Sequence, residues 1–410
     1  METALDNPLK TTCCIVGGGP AGIMLGYLLA RSGIEVTVLE KHHDFFRDFR
    51  GDTIHPSTLE LMYELDLLED LLKIRHSTIR RASACIGDQI VTIADLAHLP
   101  TQAKFVALMP QWDFLNFLSA EASKFPSFTL RMGWEATGLI QNNGVTTGVL
   151  ANTPQGPAEI LAPLTIGCDG RHAISRQAAR LPLVEEGVPI DVLWLRLSRH
   201  SSDPENGLGY VNYGSFLVLI NRLDYFQVAF LIPKNGFTEI QQQGLEAFQQ
   251  RIVRVIPFLA DRVAEIDSWD KVKLLTVQVN HLAQWSSPGL LCIGDAAHAM
   301  SPVGGIGINI ALQDAVATAN LLTEALQSNA LTPHDLRQVQ LYRQKAVHYT
   351  QRFQVFAHGI LDRVLRDSGP MKLPFALRIL TRIPGLTYLT ARFIGMGLQP
   401  QHIRTRAQPL

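Results

Sequence analysis

Cysteine is scarce and scattered in this 410-residue sequence. The five cysteines form no Cys-x-x-Cys pair and have no histidine-rich neighbourhood. Several lie in apolar runs typical of strands, where a reduced thiol acts as a small hydrophobic side chain. Their positions are Cys13, Cys14, Cys85, Cys168 and Cys292. We therefore expect a reduced, cytoplasmic protein without a zinc or other metal site.

Net charge and long hydrophobic runs are also lacking. The chain has 36 Lys and Arg against 37 Asp and Glu, so its net charge is −1 and no global field favours nucleic acid as a partner. No apolar run approaches the roughly 18 residues of a membrane-spanning helix. The opening METALDNPLKTT contains two acidic residues and leads into an apolar strand, which is not the pattern of a secretory signal. No repeat or low-complexity segment is present.

Predicted strands and helices alternate in the first part of the chain. Residues 11–16 predict a strand, 20–31 a helix that stops at Gly33, and 35–40 a second strand, which together form a βαβ unit. A second helix is predicted near Pro56, with Ser57 and Glu60 as a capping box.

The middle of the chain is β-rich. Gly87-Asp88 and Asn143-Gly144 are hairpin signals. Residues 183–278 predict a mostly antiparallel sheet with a helix at about 240–256. In it, Leu193, Leu195 and Leu197 would share one face. Further strand positions in this layer are candidates for a substrate pocket, although a structural role is the simpler interpretation of each: Trp194, Arg196, Tyr225 and Gln227.

A glycine-rich motif follows the first predicted strand. Residues 17–22 match G-x-G-x-x-G between a strand and a helix. In such a turn Gly17 permits the tight bend, Gly19 lets a pyrophosphate approach the backbone, and Gly22 allows close packing of helix and strand. Glu40 ends the next strand, near the ~20 residues beyond the motif where an acid binds ribose hydroxyls. This motif alone does not separate NAD from FAD.

Two later motifs favour FAD. Gly294-Asp295 follows a strand, and the glycine-rich stretch 302–309 opens a helix whose N-terminus can face the edge of a flavin where negative charge collects. Residues 167–170, which contain Asp169, end another strand and are followed by Arg176.

In their order along the chain, the three motifs resemble those of the class A flavoprotein monooxygenases, the p-hydroxybenzoate hydroxylase type that includes ubiquinone-pathway hydroxylases. The resemblance spans roughly residues 11–325. It implies contacts to the ADP half of FAD, to its pyrophosphate and central part, to the ribityl or pyrophosphate region and to the flavin ring. The residues concerned are, in turn, Gly17, Gly19, Gly22 and Glu40; Arg50 and Gln111; Asp295; and Gly305, Gly307, Ile308 and Asn309, with Asp169 implied in both FAD and nicotinamide handling.

Some positions depart from the family pattern. Ala173 stands where the family usually has a serine, and Ile306 replaces a common glutamine, which makes the flavin neighbourhood more apolar. For His298, packing beside the glycine-rich loop is a simpler interpretation than catalysis. No catalytic acid or base can be named from the sequence.

The expected fold is α/β: a discontinuous Rossmann-like FAD-binding domain (1–83, 107–182, 279–330), a β-sheet substrate domain (84–106, 183–278) and a C-terminal helical region (331–410). The resemblance implies that NADPH or NADH reduces non-covalent FAD and that a flavin C4a-hydroperoxide then hydroxylates an aromatic or quinone-like substrate with O₂. Alternatives are a reductase or halogenase of related fold, or a flavin-binding module without turnover. The halogenase motif W-x-W-x-I-P is absent.

The C-terminal tail is basic. After Asp367 no acidic residue occurs, whereas six cations do: Lys372, Arg378, Arg382, Arg392, Arg404 and Arg406. A basic helical segment with an apolar face can lie in a membrane interface, which gives the hypothesis of peripheral membrane contact through residues 370–406. The simpler interpretation is a lid or brace that packs over the substrate domain.

Overall fold

The structure is a computed structural model that describes residues 8–46, 53–204, 208–374, 378, 383 and 385–408. Its N-terminal unit is the predicted βαβ motif, with strand β2 (Cys13–Val16), helix α1 (Pro20–Arg31) and strand β3 (Val36–Glu40). Helix α1 begins at a proline, whose preset φ and missing N–H suit the first turn of a helix. Gly33, with a φ of +76°, reverses the chain just beyond the helix.

A six-stranded sheet built on this unit forms the centre of the molecule. Its spatial order is β21 (Ser286–Ser287), β22 (Leu290–Cys292), β13 (Leu164–Gly167), β2, β3 and β9 (Phe128–Met132). Every neighbouring pair is parallel except β21 with β22. Helix α1 packs against α4 (Gln111–Ala122) and α8 (Gly307–Gln327), and the three share the largest apolar core. The predicted α/β class is confirmed.

Three smaller sheets flank the centre. Their strands are β1 (Leu9–Lys10), β12 (Gly156–Leu161), β11 (Val145–Thr153) and β10 (Glu135–Asn142); β4 (Thr53–Ile54), β8 (Val106–Leu108) and β5 (Ser77–Ile79); and β14 (Leu183–Glu186), β20 (Val279–Leu282) and β23 (His298–Ala299). The hairpin predicted at Asn143-Gly144 joins β10 to β11, and both residues have the positive φ of such a turn.

A seven-stranded sheet forms the separate β layer. Its order is β19 (Lys273–Leu275), β15 (Ile190–Ser198), β18 (Tyr225–Pro233), β17 (Ser215–Asn221), β16 (Leu208–Asn212), β6 (Arg81–Ile86) and β7 (Gln89–Asp95). All pairs are antiparallel except β16 with β6, which confirms the mostly antiparallel prediction. Leu193, Leu195 and Leu197 share one face and are fully buried in a core with helix residues such as Phe248 and Ile252.

Two local predictions are wrong. The single helix expected at 240–256 is two helices, α6 (Phe237–Gln243) and α7 (Leu245–Val255), because Gly244 has a φ of +91° and breaks the run. The capping box of α2 (Pro56–Glu64) does not form either. The helix starts at Pro56, one residue before the expected cap Ser57, so His55 is the N-cap and the Glu60 carboxylate accepts instead from the Gln102 backbone N–H at 2.8 Å. Two short helices, α3 (Leu68–Leu71) and α5 (Ile174–Ala178), complete the N-terminal half.

The C-terminal region is a long helix followed by a shorter one and an extended end. Helix α9 (Pro333–Arg366) begins at a capping box between Thr332 and Asp335, and α10 (Leu386–Met396) packs on β7. Residues 397–408 form no helix, in contrast to the expected helical region, and run back along α8 and α1, where the Gln408 N–H donates to the Arg31 carbonyl at 2.9 Å. Among the described helices, none combines the length and hydropathy that a membrane crossing requires.

Candidate active site

The turn between β2 and α1 requires glycine at two places and leaves a third open. A Cβ on Gly17, whose φ is +106°, would lie 2.4 Å from the carbonyl oxygen of Cys168, and one on Gly22 would lie 2.0 Å from the Gly17 carbonyl oxygen. Among the described residues, no heavy atom beyond its own chain neighbours and the helix backbone lies within 4 Å of the Cβ position of Gly19. No described side chain caps α1. In the described part of the chain, the first N–H groups of this helix therefore lie beside the open side of Gly19, which fits a diphosphate.

Glu40 lies at the end of β3, next to this turn. Its carboxylate accepts from the backbone N–H of Gly18 at 3.1 Å and of His42 at 3.0 Å. These bonds hold the carboxylate at the edge of the turn, where an acid that binds ribose hydroxyls is required. A ribose contact from Glu40 stays a prediction.

Asp169 follows β13 and is tied to α5. It accepts from the Ser175 backbone N–H at 3.0 Å and from the Ser175 hydroxyl at 2.6 Å. Burial raises the pKa of the Asp169 carboxyl, and these hydrogen bonds oppose the rise. Ala173 stands where the family pattern leads one to expect a serine, and the hydroxyl that bonds Asp169 belongs to Ser175, two residues later.

Asp295 lies just after β22 and forms an ion pair that the sequence did not predict. The Arg171 Nε donates to it at 3.3 Å, and the two side chains are only 25% and 36% exposed. Arg171 Nη2 reaches the Met300 carbonyl at 3.5 Å, and Arg176 donates to the Ala296 carbonyl at 3.1 Å. The two arginines therefore join the loop after β13 to the loop after β22.

The glycine-rich loop before α8 is held by β4. Gly305 has a φ of +63°, and its carbonyl accepts from the Thr53 hydroxyl at 2.9 Å. A Cβ at Gly305 would lie 2.3 Å from that hydroxyl oxygen, so only glycine fits here. Helix α8 begins at Gly307 without a side-chain cap. The backbone N–H groups at Gly307, Ile308 and Asn309 therefore have no intrahelical acceptor.

Asn309 has all its side-chain hydrogen-bonding capacity engaged. Its Oδ1 accepts from the His55 backbone N–H at 2.9 Å and from the Thr58 hydroxyl at 2.7 Å, and its Nδ2 donates to the carbonyls of Thr53 and Gly305, both at 3.2 Å. An asparagine side chain offers two donors and an acceptor oxygen with two lone pairs. Any contact from Asn309 to a cofactor therefore comes from its backbone.

A buried ionic group lies behind the Gly294-Asp295 loop. Asp314 accepts from His298 Nε2 at 2.6 Å, from Arg343 Nε at 2.9 Å and from the Gly294 N–H at 3.2 Å. The side chains of Asp314, His298 and Arg343 are at most 1% exposed. Burial alone would raise the pKa of Asp314, but His298 and Arg343 hold this pKa below its usual range. His298 therefore packs as a partner of Asp314, in agreement with the simpler interpretation of its sequence position.

Helix α9 forms hydrogen bonds to the loop that contains Ser301 and Val303. Gln354 Oε1 accepts from the Ser301 N–H at 3.1 Å, its Nε2 donates to the carbonyls of Ser301 and Val303, and His358 Nε2 bonds the Ser301 hydroxyl at 2.7 Å. Burial lowers the pKa of His358 to about 4. Sequence reasoning missed these residues together with Arg343. Their signal was polar residues at helical spacing among the apolar positions of α9.

Two further predicted contacts are only partly described. Gln111 is the first residue of α4 and is half-buried, beside Trp112, whose ring lies 4.9 Å from that of Phe46 between centroids. Arg50 lies outside the described residues.

The motifs converge on one edge of the central sheet. Gly17 contacts Cys168, next to Asp169, and the Cβ position of Gly294 lies 3.2 Å from the Ala21 Cβ. The carboxyl ends of β2, β3, β13 and β22 meet at this edge, which is where ligands bind in open parallel sheets. The face of the seven-stranded sheet opposite α7 meets the same region, since Trp194 and Val218 pack in one apolar cluster with Val303.

Comparison with known proteins agrees with this geometry. Residues 10–336 match the family model described as "FAD binding domain". The chain is 30% identical to 6-methylpretetramide 4-monooxygenase of Streptomyces rimosus over 96% of its own length and 94% of the relative's. It is 22% identical to para-nitrophenol 4-monooxygenase of Pseudomonas sp. (strain WBC-3), covering 78% and 79% of the two chains.

Solved structures share the fold. PqsL of Pseudomonas aeruginosa, described as a probable FAD-dependent monooxygenase, superposes with a TM-score of 0.75 at 19% identity over 87% of this chain and 98% of that one. The anhydrotetracycline hydroxylase OxyS of Streptomyces rimosus gives a TM-score of 0.73 at 19% identity, with 94% and 76% covered.

Proposed function

The chain belongs to the FAD binding domain family of FAD-dependent aromatic monooxygenases, and from this premise we propose that it consumes NADH or NADPH and O₂ to hydroxylate an aromatic small molecule. The observation that carries the proposal is the convergence of three separate motifs on the carboxyl edge of the central sheet. There the uncapped N-termini of α1 and α8 supply N–H donors at two points.

The residues present fit FAD. The open side of Gly19 and the first turn of α1 would hold the diphosphate, with Gly17 and Gly22 shaping the turn and Glu40 at the ribose. Asp295 would bind the ribityl chain. Arg50, Gln111 and Asp169 are proposed as further contacts, and the backbone of Gly305, Gly307, Ile308 and Asn309 as the contacts to the flavin ring.

Bound FAD would supply electron transfer from the nicotinamide and activation of O₂, chemistry that no side chain can supply. The chain itself would position the flavin and the substrate, supply partial charges near the flavin and exclude water from the site. The N-terminus of α8 presents a partial positive charge where negative charge collects on a reduced flavin. Ile306, only 4% exposed, keeps this loop apolar where the family usually has glutamine. No side chain is proposed as a catalytic acid or base.

The division of the chain into domains is proposed as the sequence predicts it. We propose residues 1–83, 107–182 and 279–330 as the FAD-binding domain, 84–106 and 183–278 as the substrate domain, and 331–410 as the region that braces the two. No second G-x-G-x-x-G motif is present in the sequence, so the nicotinamide is proposed to bind transiently on a surface shared with the flavin site.

The test is NADH or NADPH oxidation by FAD-loaded protein in air, with and without a panel of phenols, naphthols and quinols. Catalase and product chromatography separate hydroxylated product from hydrogen peroxide. The proposal expects at least one aromatic compound to accelerate nicotinamide oxidation and to yield a product that carries one more oxygen atom. An FAD-loaded protein that oxidises neither nucleotide with any member of the panel contradicts it.

A further inference from the structure

One face of the seven-stranded sheet turns towards the glycine-rich loop. Pairing in register places Trp194 of β15 opposite Ala229 of β18, and Ala229 opposite Val218 of β17. These three residues belong to the apolar cluster that contains Val303. Because side chains alternate across a strand, Gln227 lies on the same face, one position diagonal to Trp194.

Gln227 is a polar side chain at the edge of this apolar surface, directly opposite Arg196 of β15. It is 5% exposed, and its Oε1 accepts from the Nε and Nη2 of Arg222, each at 3.4 Å. Arginine has donors only, so the amide oxygen must face Arg222 and the amide nitrogen must point away from it. That nitrogen, Nε2, is buried and has no hydrogen-bond partner among the described residues.

Trp194 repeats the pattern on the neighbouring strand. Its ring is half-buried in the cluster, and its Nε1 is buried without an acceptor in the described part of the chain. An indole nitrogen can only donate. Diagonal neighbours on paired strands lie roughly 7 Å apart. The two donors are thus carried on one face by strand positions that lie about the width of a fused bicyclic ring apart.

The surroundings close this face on two further sides. Ile220, on the strand next to Gln227, packs with Ile394 and Met396 at the end of α10. The His55 ring bonds the Ile394 carbonyl at 2.7 Å, while the backbone of His55 donates to Asn309. Helix α10, the glycine-rich loop and the sheet are therefore fixed to one another around the two donors.

We propose that Trp194 and Gln227 form the substrate-recognition pair of the site, and that their N–H groups bind two oxygen acceptors, phenolic or carbonyl, carried by a fused aromatic substrate. This inference rests on the proposed hydroxylase function and extends it to the chemical class of the substrate. Buried donors without acceptors are rare because they cost free energy, and a ligand that supplies acceptors removes that cost. Arg222 polarises the Gln227 amide and thereby favours an oxygen that carries negative charge.

The test measures dissociation constants for two probes of similar outline on FAD-loaded protein without nicotinamide, by equilibrium dialysis. The first probe, 5-hydroxy-1-tetralone, carries acceptors on both rings; the second, 1-methylnaphthalene, carries none. Wild type should prefer the first. Trp194→Phe and Gln227→Leu should each weaken the first probe about tenfold, the effect of one hydrogen bond, and leave the second within twofold.

Three further variants control for the fold. Gln227→Glu keeps an oxygen towards Arg222 and offers no amide N–H, so it should behave as Gln227→Leu does without introducing an apolar side chain. Trp269→Phe makes the same ring change on the opposite face, where Trp269 packs on Phe237 and Phe248. Gln250→Leu makes the same amide change at an exposed position of α7. Neither control should alter the ratio of the two constants.

Equal weakening of both probes would assign the pair a merely structural role and overturn the inference. So would an unchanged ratio in the variants, or a wild type without preference for the oxygenated probe. FAD content and nicotinamide oxidation, measured on the same preparations, report separately on the proposed function. A protein that holds FAD and oxidises the nucleotide but fails the probe comparison disproves the recognition pair alone.

Discussion

Arg343 Nε on α9 donates to Asp314 Oδ1 on α8 at 2.9 Å, although both side chains are almost completely buried. The same guanidinium donates to Gln313 Oε1 at 3.3 Å and to the Gln399 carbonyl at 3.2 Å. One residue of the C-terminal region therefore ties the helix of the glycine-rich loop to the extended end of the chain. The position of that loop depends on the contact.

We expect Arg343→Met to destabilise the fold by about 3–5 kcal/mol. The change removes the ion pair with Arg343 and leaves the buried Asp314 carboxylate with His298 as its remaining side-chain partner. Urea unfolding followed by circular dichroism measures the change. The matched control is Arg337→Met on the exposed side of the same helix, which should stay within about 0.5 kcal/mol of wild type. Equal midpoints for the two variants would show that the buried pair contributes nothing.

Asp295→Ala should lower FAD affinity much more than Asp169→Ala. Asp295 lies on the loop after β22 with its side chain 36% exposed, whereas both oxygens of Asp169 already accept from Ser175. An unmade buried hydrogen bond costs about 1–3 kcal/mol, so the expected loss for Asp295→Ala is roughly tenfold or more in the dissociation constant. Titration of FAD into the two apo-variants decides the order, and equal affinities would refute it.

Local pattern was enough to predict some of this fold. The bounds of α1, the two hairpins and the alternation of β15 follow from features within a few residues of one another, namely turn glycines and apolar period. The prediction of a capping box at Ser57 was wrong because Pro56 sets the start of α2. The helix break at Gly244 was not predicted because helices often tolerate a single glycine within their apolar pattern.

The candidate site was predictable in its motifs and not in its supports. Glycines that a close approach of backbone requires can be recognised from a sequence motif, as Gly17 and Gly22 can. Arg171 and Arg343 do not, because each acts on a carboxylate that is more than 25 residues away along the chain and becomes a neighbour only in the fold. The orphan donor of Gln227 is likewise visible only after strand register is known.

His55 should make stability depend on pH. Burial lowers its pKa to about 4 in the folded chain, against the raising effect of its bond to the Ile394 carbonyl, whereas the unfolded value is about 6.5. As pH falls, the unfolded chain takes up the proton first, so stability is lost between about pH 6.5 and 4. At pH 5 the expected loss from this residue is about 2 kcal/mol.

Unfolding midpoints at pH 7 and pH 5 measure this effect. His55→Asn should reduce the difference between the two pH values, while His172→Asn, a change at an exposed histidine, should leave it as in wild type. The same pH difference in all three proteins would rule out His55 as a source.

The basic tail remains a prediction as a membrane contact. Part of the simpler interpretation has support, since α10 packs on β7 of the seven-stranded sheet and buries Ala391 and Met396. Residues 397–408 lie instead along α1 and α8. Leu389 is nevertheless 60% exposed on α10, near Arg392. We expect co-sedimentation with phosphatidylserine vesicles at low salt, release at high salt, and no binding to phosphatidylcholine.

The variant Leu389→Glu with Arg392→Glu should abolish that sedimentation. The control variant Val184→Glu with Lys273→Glu makes the same change in charge and also removes an exposed apolar side chain, but on strands β14 and β19. It should have no effect on sedimentation. Intact protein that stays in the supernatant at low salt would contradict a membrane contact through 370–406.

The purified protein should be yellow and should release intact FAD when denatured, because no covalent attachment motif accompanies the cofactor motifs in the sequence. Absorbance of the supernatant after acid precipitation, with chromatography against authentic FAD, measures this. Colour that stays with the precipitated chain would mean covalent attachment.

The fate of molecular oxygen tests the central claim most directly. FAD-loaded protein, the reduced nicotinamide and an accepted aromatic substrate are incubated under ¹⁸O₂ in ordinary water, and the product is analysed by mass spectrometry. A monooxygenase places one atom of O₂ on its product and reduces the other to water. The product is therefore expected to contain one ¹⁸O atom more than the substrate. A hydroxylated product that carries only ¹⁶O from water, or consumption of O₂ that ends entirely in hydrogen peroxide while the substrate is recovered unchanged, would contradict it.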